Sequence, residues 1–283
     1  YIATDTKIIY QDTGTAWQKV GAVKWGDLED KPASFTPSPH KSTHASGGTD
    51  VLTPADIGAA NTTTADMTLY VDAVNGNDNN PGTQTQPLQT IQAAVNKIPA
   101  IVKHTVTINI AAGTYSENVI IKGIFGSGAI NILGGSDLTS AANYIVNRID
   151  VNHCTANIYI KGFTIKLPAG SWIGGINIVN SSKVQVTYCN INGQNFTDAN
   201  RAGLICSFGK CVINNCDISN VTSSGNYAGA IVSSSCGQVN SWSNTGSNNT
   251  YGLNARAGII HREDTTQPGA TTATVTSGGG VIY

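Results

Sequence analysis

The chain has 283 residues, a formal net charge of -1 and only 12% charged residues, against about 25% in typical soluble domains. That balance gives no electrostatic case for nucleic acid or an anionic membrane surface, and no apolar run reaches the roughly 18 residues of a transmembrane helix. The start at Tyr1, with neither Met nor a signal peptide, predicts a piece of a longer protein.

Residues 1–25 read as a small β element. Lys7-Ile8-Ile9-Tyr10 and Ala16-Trp17-Gln18-Lys19-Val20 flank Asp12-Thr13-Gly14, a hairpin signal. Such a hairpin is too small to be stable alone. Residues 26–67 read as an extended linker. Gly26-Asp27-Leu28-Glu29-Asp30-Lys31-Pro32 and Phe35-Thr36-Pro37-Ser38-Pro39 cannot form a long regular element, because Pro removes donors and restricts its predecessor. Leu52-Thr53-Pro54-Ala55-Asp56-Ile57-Gly58 fits one helical turn at most. A segment this irregular suits a connector, or a chain wrapped with copies of itself.

Residues 68–101 predict a cap. Thr68-Leu69-Tyr70-Val71 is a strand, residues 75–82 are dense in turn formers, and Leu88, Ile91, Val95 and Ile98 fall on one face of a short α-helix. Residues 102–262 repeat. The spacing apolar-x-apolar-x-x-apolar-x-apolar reads Ile158, Ile160, Phe163, Ile165, then Val184, Val186, Cys189, Ile191, then Cys211, Ile213, Cys216, Ile218, at steps of 26 and 27 residues. A second marker, Gly175-Ile176-x-Ile178, Gly203-Leu204-x-Cys206 and Gly229-Ala230-x-Val232, recurs at steps of 28 and 26. A fixed period of this size means stacked supersecondary units, and period-two alternation means strands. The fold class is therefore all-β, a parallel β-helix, with the helix at 88–98 as the lid over an exposed apolar end. The pattern blurs where Gln238 and Asn240 fall in core slots. Residues 263–283 read as a Thr- and Gly-rich C-terminal tail whose Val281-Ile282-Tyr283 either pairs with a partner chain or stays loose.

Of the six cysteines, Cys189, Cys206, Cys211 and Cys216 occupy slots filled elsewhere by aliphatic or aromatic residues. They read as buried free thiols. Cys189 and Cys216, in one slot of successive repeats, point the same way and make a poor disulfide.

Tyr70-Val71-Asp72 to Gly82-Thr83, Pro87-x-x-Thr90-Ile91-Gln92-x-Ala94 and Gly113-Thr114-Tyr115-x-Glu117 resemble the N-terminal cap and first coil of the pectate-lyase-like right-handed β-helix superfamily, in the versions found in phage and prophage tailspikes and bacterial surface proteins. Residues 23–35, and His40 to Gly48 with Leu52 to Gly58, resemble phage tail-fibre linkers. The resemblance implies a right-handed winding and a homotrimeric tail fibre or tailspike in the virion tail, assembled in the bacterial cytoplasm. Its N-terminal region would attach to other tail or baseplate proteins, and the β-helix would meet a bacterial surface polysaccharide. Alternatives of the same fold are a glycan depolymerase and a bacterial surface adhesin.

The bulky residues Trp172, Arg201, Tyr227 and Tyr251 each stand one to three residues before a repeat glycine, and Asp198 and Asn200 share the longest loop. These six form the candidate glycan-binding set, since aromatic faces suit sugar rings and Arg bridges acidic or hydroxyl groups. The competing reading, given slightly more weight, is that the aromatics staple loops or pack between subunits. No catalytic residue is assigned. Glycosidases need paired carboxylates, yet residues 119–262 hold only Asp137, Asp150, Asp198 and Asp217, without a cluster. His153, Lys161, Lys166 and Lys183 are bases better read as solvated surface groups. No cofactor is expected beyond a structural metal at the stalk. Three copies of His40 and His44 on a trimer axis would present six imidazoles, enough for an octahedral ion. The local Pro and Gly favour solvated histidines instead.

Overall fold

A computed structural model describes residues 8–22, 60–166, 174–193, 201–223, 225–265 and 267–283. The protein is all-β, with 51% strand and 5% helix, and divides into two units, Tyr1–Ile57 and Gly58–Tyr283. In the first unit β1 (Ile8–Asp12) and β2 (Trp17–Ala22) pair antiparallel, forming the hairpin the sequence predicts. Gly14 turns it at φ +83°, and its N–H donates to Asp12 Oδ1 at 2.7 Å. Residues 23–59, with His40 and His44, lie outside the described residues.

The second unit is built from two parallel sheets. The nine-stranded sheet holds, in spatial order, β3 (Met67–Val71), β4 (Thr105–Ile110), β6 (Ala129–Leu133), β8 (Asn157–Lys161), β11 (Val184–Thr187), β14 (Lys210–Asn214), β17 (Gln238–Trp242), β19 (Ile259–Arg262) and β21 (Val281–Ile282). The ten-stranded sheet has two rows that meet at one long strand, β7 (Tyr144–Asn152), which also pairs with β5 (Gly113–Lys122). Ile145 and Val146 of β7 start the row β9 (Thr164–Lys166), β12 (Asn190–Asn192), β15 (Asp217–Ser219). Its second half, Ile149–Asn152, starts the row β10 (Ile176–Val179), β13 (Ala202–Ser207), β16 (Gly229–Ser234), β18 (Asn249–Arg256), β20 (Ala270–Ser277). From β4 onward the chain passes back and forth between the sheets, and from β6 onward it lays each strand beside an earlier one.

The register explains the alternation. Val106, Ile130, Ile158, Val184, Cys211, Val239 and Ile260 stack in one line across the nine-stranded sheet, all buried. Ile108, Ile132, Ile160, Val186 and Ile213 form the next line. Burying each such side chain stabilises the fold by roughly 1.5–3 kcal/mol. Ile165, Ile191 and Ile218 align likewise in the other sheet.

Two register expectations need correction. Leu204 pairs with Ile231, and Ala202 rather than Gly203 pairs with Gly229, so the third glycine marker is not equivalent to the first two. Gln238 and Asn240 do not occupy core slots: Cys211 pairs with Val239 and Ile213 with Ser241, a step of 28. The preceding corner explains the shift. The equivalent earlier corner has one residue with positive φ, Phe208, whereas here Ser235 and Cys236 both do. One extra residue in the turn restores apolar Val239 to the inside and sends Gln238 and Asn240 out.

The short helix appears as α1 (Ile91–Asn96), a little shorter than its apolar face suggested, with Ile91, Ala94 and Val95 buried. Thr90 caps it, and Glu117 of β5 accepts its Ile91 and Gln92 N–H groups at 2.8 and 2.9 Å. Burial pushes the Glu117 carboxyl up, against the pull of those two hydrogen bonds. A second single turn, α2 (Leu138–Ala141), is capped by Asp137, whose side chain accepts from the Ser140 N–H at 2.8 Å. Thr62 to Asp66, assigned above to the linker, already belong to the second unit: Thr62 bridges to Ile101, and Asp66 Oδ1 accepts the Thr105 N–H at 2.8 Å.

The C-terminal segment forms strands within its own chain. β20 pairs with β18 and β21 with β19 in this same chain, and Tyr283 stacks on His261 with ring centroids 5.0 Å apart. Thr272, Thr274 and Thr276 continue the line of Tyr251, Leu253 and Ala255, and all three are exposed. Threonine keeps strand propensity while making this face of β20 polar.

All six cysteines are free thiols. Cys154, Cys189, Cys206, Cys211 and Cys216 are buried, and Cys236, the extra corner residue, is exposed. Burial pushes the Cys154 and Cys216 thiols up, and thiolate is the reactive form. A thiol reagent is therefore expected to label one site per chain quickly and the other five only after denaturation. Mass spectrometry would locate the fast adduct, and fast labelling at Cys189 or Cys216 would show that the inward register is wrong.

Candidate functional site

Trp172, Asp198 and Asn200 lie outside the described residues. Arg201 is buried, and its N–H donates to Ser223 Oγ at 2.8 Å. The Tyr227 ring lies under the Arg256 guanidinium at 4.9 Å. Tyr251 is a half-buried residue of β18 that pairs with Thr272. A shared ridge required Gly203 and Gly229 to be equivalent. Because Gly229 pairs with Ala202, Arg201 stands one residue before that pair, Tyr227 stands two before it, and the Tyr251 carbonyl approaches Gly229 itself. The three side chains occupy different rows.

The outward face of the nine-stranded sheet carries a different set. With Ile158 and Ile160 turned inward, Tyr159 must point out. The same parity sends out Gln185, Val212 and Asn240, which stack on Tyr159 in that order. A second row beside it pairs Lys210 with Gln238, and Asn157 and Lys183, which stands just before β11, line the same groove. Neighbouring strands lie about 4.8 Å apart, so the two rows form a ladder of amides, two ammonium groups and one aromatic ring. They line a groove of about 400 Å³. Tyr159 is 39% exposed, offering a ring face with a polar tip. Asn and Gln each present both donors and acceptors, and Val212 supplies half-buried apolar floor. Of this set the sequence reading weighed only Lys183 as a site residue, and it placed Gln238 and Asn240 in core slots. The signal was present, since outward residues stack at the same steps as the core ones, but it needs the register of β17, where the extra corner residue enters.

The described carboxylates of the repeat region are engaged elsewhere. Asp150 is buried, pairs with Arg148 at 2.7 Å and accepts from Asn177 Nδ2 at 2.6 Å. Asp217 accepts from Ser219 and Thr245, and the hydrogen bonds from Ser140 hold the Asp137 carboxyl low. His153 bonds Asn180 at 3.1 Å, and Lys161 lies over Tyr188 at 5.5 Å. A second recess of about 480 Å³ shares Asn240 with the groove and is lined by Trp242, Glu263 and Asp264. Its Asp264 Oδ2 accepts from the Ser243 N–H and hydroxyl at 2.7 and 3.0 Å. Among the described residues, no cluster of three His, Cys, Asp or Glu side chains is placed to hold a metal ion, and no helix is long and apolar enough to cross a membrane.

These features define an all-β protein of stacked parallel strands with a polar outward groove. No family model and no curated protein matches the chain. Two solved structures of the GH136 lacto-N-biosidase from Eubacterium ramulus, the native protein and its selenomethionine derivative, are similar at 10% identity. The native one covers 74% of this chain and 68% of its own with a TM-score of 0.16, and the derivative 77% and 68% with 0.17. Likeness at that level carries neither fold nor activity across.

Proposed function

We propose that the chain is a subunit of a phage or prophage tail fibre or tailspike, a right-handed parallel β-helix that binds a bacterial surface glycan. Support for the winding comes from the chain's passage between the two sheets with each return parallel. Parallel crossovers within one sheet are right-handed in about 98% of cases. The observation that carries the binding role is the groove, where Tyr159 and the amides of Asn157, Gln185, Gln238 and Asn240 stack along a rigid sheet. Rigid strands position such contacts better than loops. In this reading three copies assemble in the virion tail and attach through the N-terminal region to other tail or baseplate proteins. Assembly then multiplies weak sites by avidity. His40 and His44 would serve at most a stalk metal in that assembly.

Tyr159→Ala is expected to weaken binding to host cells or purified surface polysaccharide about tenfold or more, the loss of a binding anchor worth at least about 1.4 kcal/mol. The melting temperature should stay within a few degrees, because the ring is partly exposed. Binding that survives the substitution would place the site elsewhere, with the set Trp172, Asp198, Asn200, Arg201, Tyr227 and Tyr251 the first to examine. A depolymerase of the same fold is the second reading, favoured by one observation, the meeting of Trp242 with Glu263 and Asp264 beside the groove. New reducing ends, or absorbance from an unsaturated sugar, on incubation with polysaccharide would decide for it.

A further inference from the structure

We propose that the groove selects glycans bearing an anionic group, a carboxylate or a sulfate, seated between Lys183 and Lys210. The inference rests on the glycan-binding reading of the same groove. Lys210 opens β14 and Lys183 stands one residue before β11, each just ahead of a member of the paired Val184 and Cys211, and both line the groove. Like charges lining one groove repel each other. Among the described residues that line the groove nothing relieves that repulsion. Asn157 and Gln238, which line the groove beside the two lysines, are neutral. The next row, Tyr159, Gln185, Val212 and Asn240, holds no acid, nor does Ser182, the remaining polar lining residue. Among the described residues neither lysine has an ion pair, and both are exposed.

In a chain with only 16 Lys and Arg residues, two ammonium groups in a groove lined by no acid form a local positive field. An anion between them removes the mutual repulsion and gains attraction to both. The surrounding amides then bond sugar hydroxyls, and the Tyr159 face takes a ring edge. Charge thus sets which glycan is accepted, while the amides and ring add contact that any sugar would use.

The test uses retention on immobilised polygalacturonate, dextran sulfate and neutral dextran. Wild type is compared with the double variant Lys183→Gln/Lys210→Gln and with Lys122→Gln, an exposed lysine on the other sheet. Wild type is expected to bind at least one acidic polymer, to ignore dextran, and to bind less as salt rises. The double variant should lose about tenfold or more in affinity, with Lys122→Gln unchanged. Binding to polygalacturonate alone identifies a carboxylate, binding to dextran sulfate alone a sulfate, and binding to both an anion of either kind. The inference is overturned if dextran binds as tightly, if the double variant binds like wild type, or if neither acidic polymer is retained. In each of those cases, loss of host-cell binding in Tyr159→Ala would leave the groove itself standing.

Discussion

Gly162→Ala is expected to destabilise the protein by about 3–5 kcal/mol, while Gly123→Ala costs only about 1–2. Both glycines lie in the left-handed region, at φ +74° and +65°. Backbone conformation alone does not separate them. The corner that follows Gly162 in successive repeats holds Tyr188, Asn215 and Ser243 at φ +53°, +51° and +52°, so a side chain is tolerated in that conformation. What differs is the surroundings. A Cβ on Gly162 would stand 1.9 Å from the Gly135 carbonyl oxygen and 2.4 Å from the Gly135 nitrogen, whereas one on Gly123 meets nothing within 4 Å. The Gly135 N–H donates to the Gly162 carbonyl at 2.8 Å. Adding a methyl must push the two backbones apart and break that bond. Denaturant midpoints of the two variants, read beside wild type, give the answer. Equal losses would mean that conformation and not contact fixes Gly162. A loss of this size is a large share of a total stability of about 5–15 kcal/mol.

The core lines of the repeat were readable because three sets of four apolar residues, Ile158 to Ile218, recur at steps of 26 and 27 and every member is buried. The hairpin and the helix face of Ile91 and Val95 were readable from turn chemistry and 3.6-residue spacing. The shift at β17 was not. Its cause, a second left-handed residue at Ser235–Cys236, carries no hydrophobic signal, and serine and cysteine do not advertise positive φ as glycine or asparagine do. The final strands were missed because exposed threonines at 272, 274 and 276 remove the apolar alternation on which strand reading depends. The described members of the candidate ridge, Arg201, Tyr227 and Tyr251, fall in different rows for the related reason that Gly229 was aligned one residue out of register. The groove was hidden because its residues are the spaces between core positions. Asn157, Gln185 and Asn240 look like any solvated polar residue until stacking puts them in rows.

The polar interior is the least readable part, and it yields the second large expectation. Asn244→Leu should cost about 2–4 kcal/mol although leucine fills a similar volume, because it strands two buried backbone groups. Asn244 is fully buried. Its Oδ1 accepts the Cys216 N–H at 3.0 Å, and its Nδ2 donates to the Ile213 carbonyl and to Ser241 Oγ, each at 3.0 Å. One side chain thus stands in for the ladder bonds that the corner between β14 and β15 interrupts. Asn249 does the same one corner later, accepting from the Val221 N–H at 3.0 Å and donating to the Ile218 and Gly269 carbonyls at 2.8 and 2.9 Å. Its leucine variant should lose a similar amount. Asn248 sits next to it but is exposed, and it extends a surface row by donating to Asn220 Oδ1 at 2.9 Å. Asn248→Ala should therefore change stability by no more than about 0.5 kcal/mol beyond the cost of its left-handed backbone. Chemical denaturation of the three variants separates burial with satisfied bonds from asparagine as such. If Asn244→Leu and Asn249→Leu unfold at the wild-type midpoint, the corners are held by their apolar neighbours, and the amides contribute nothing that leucine does not.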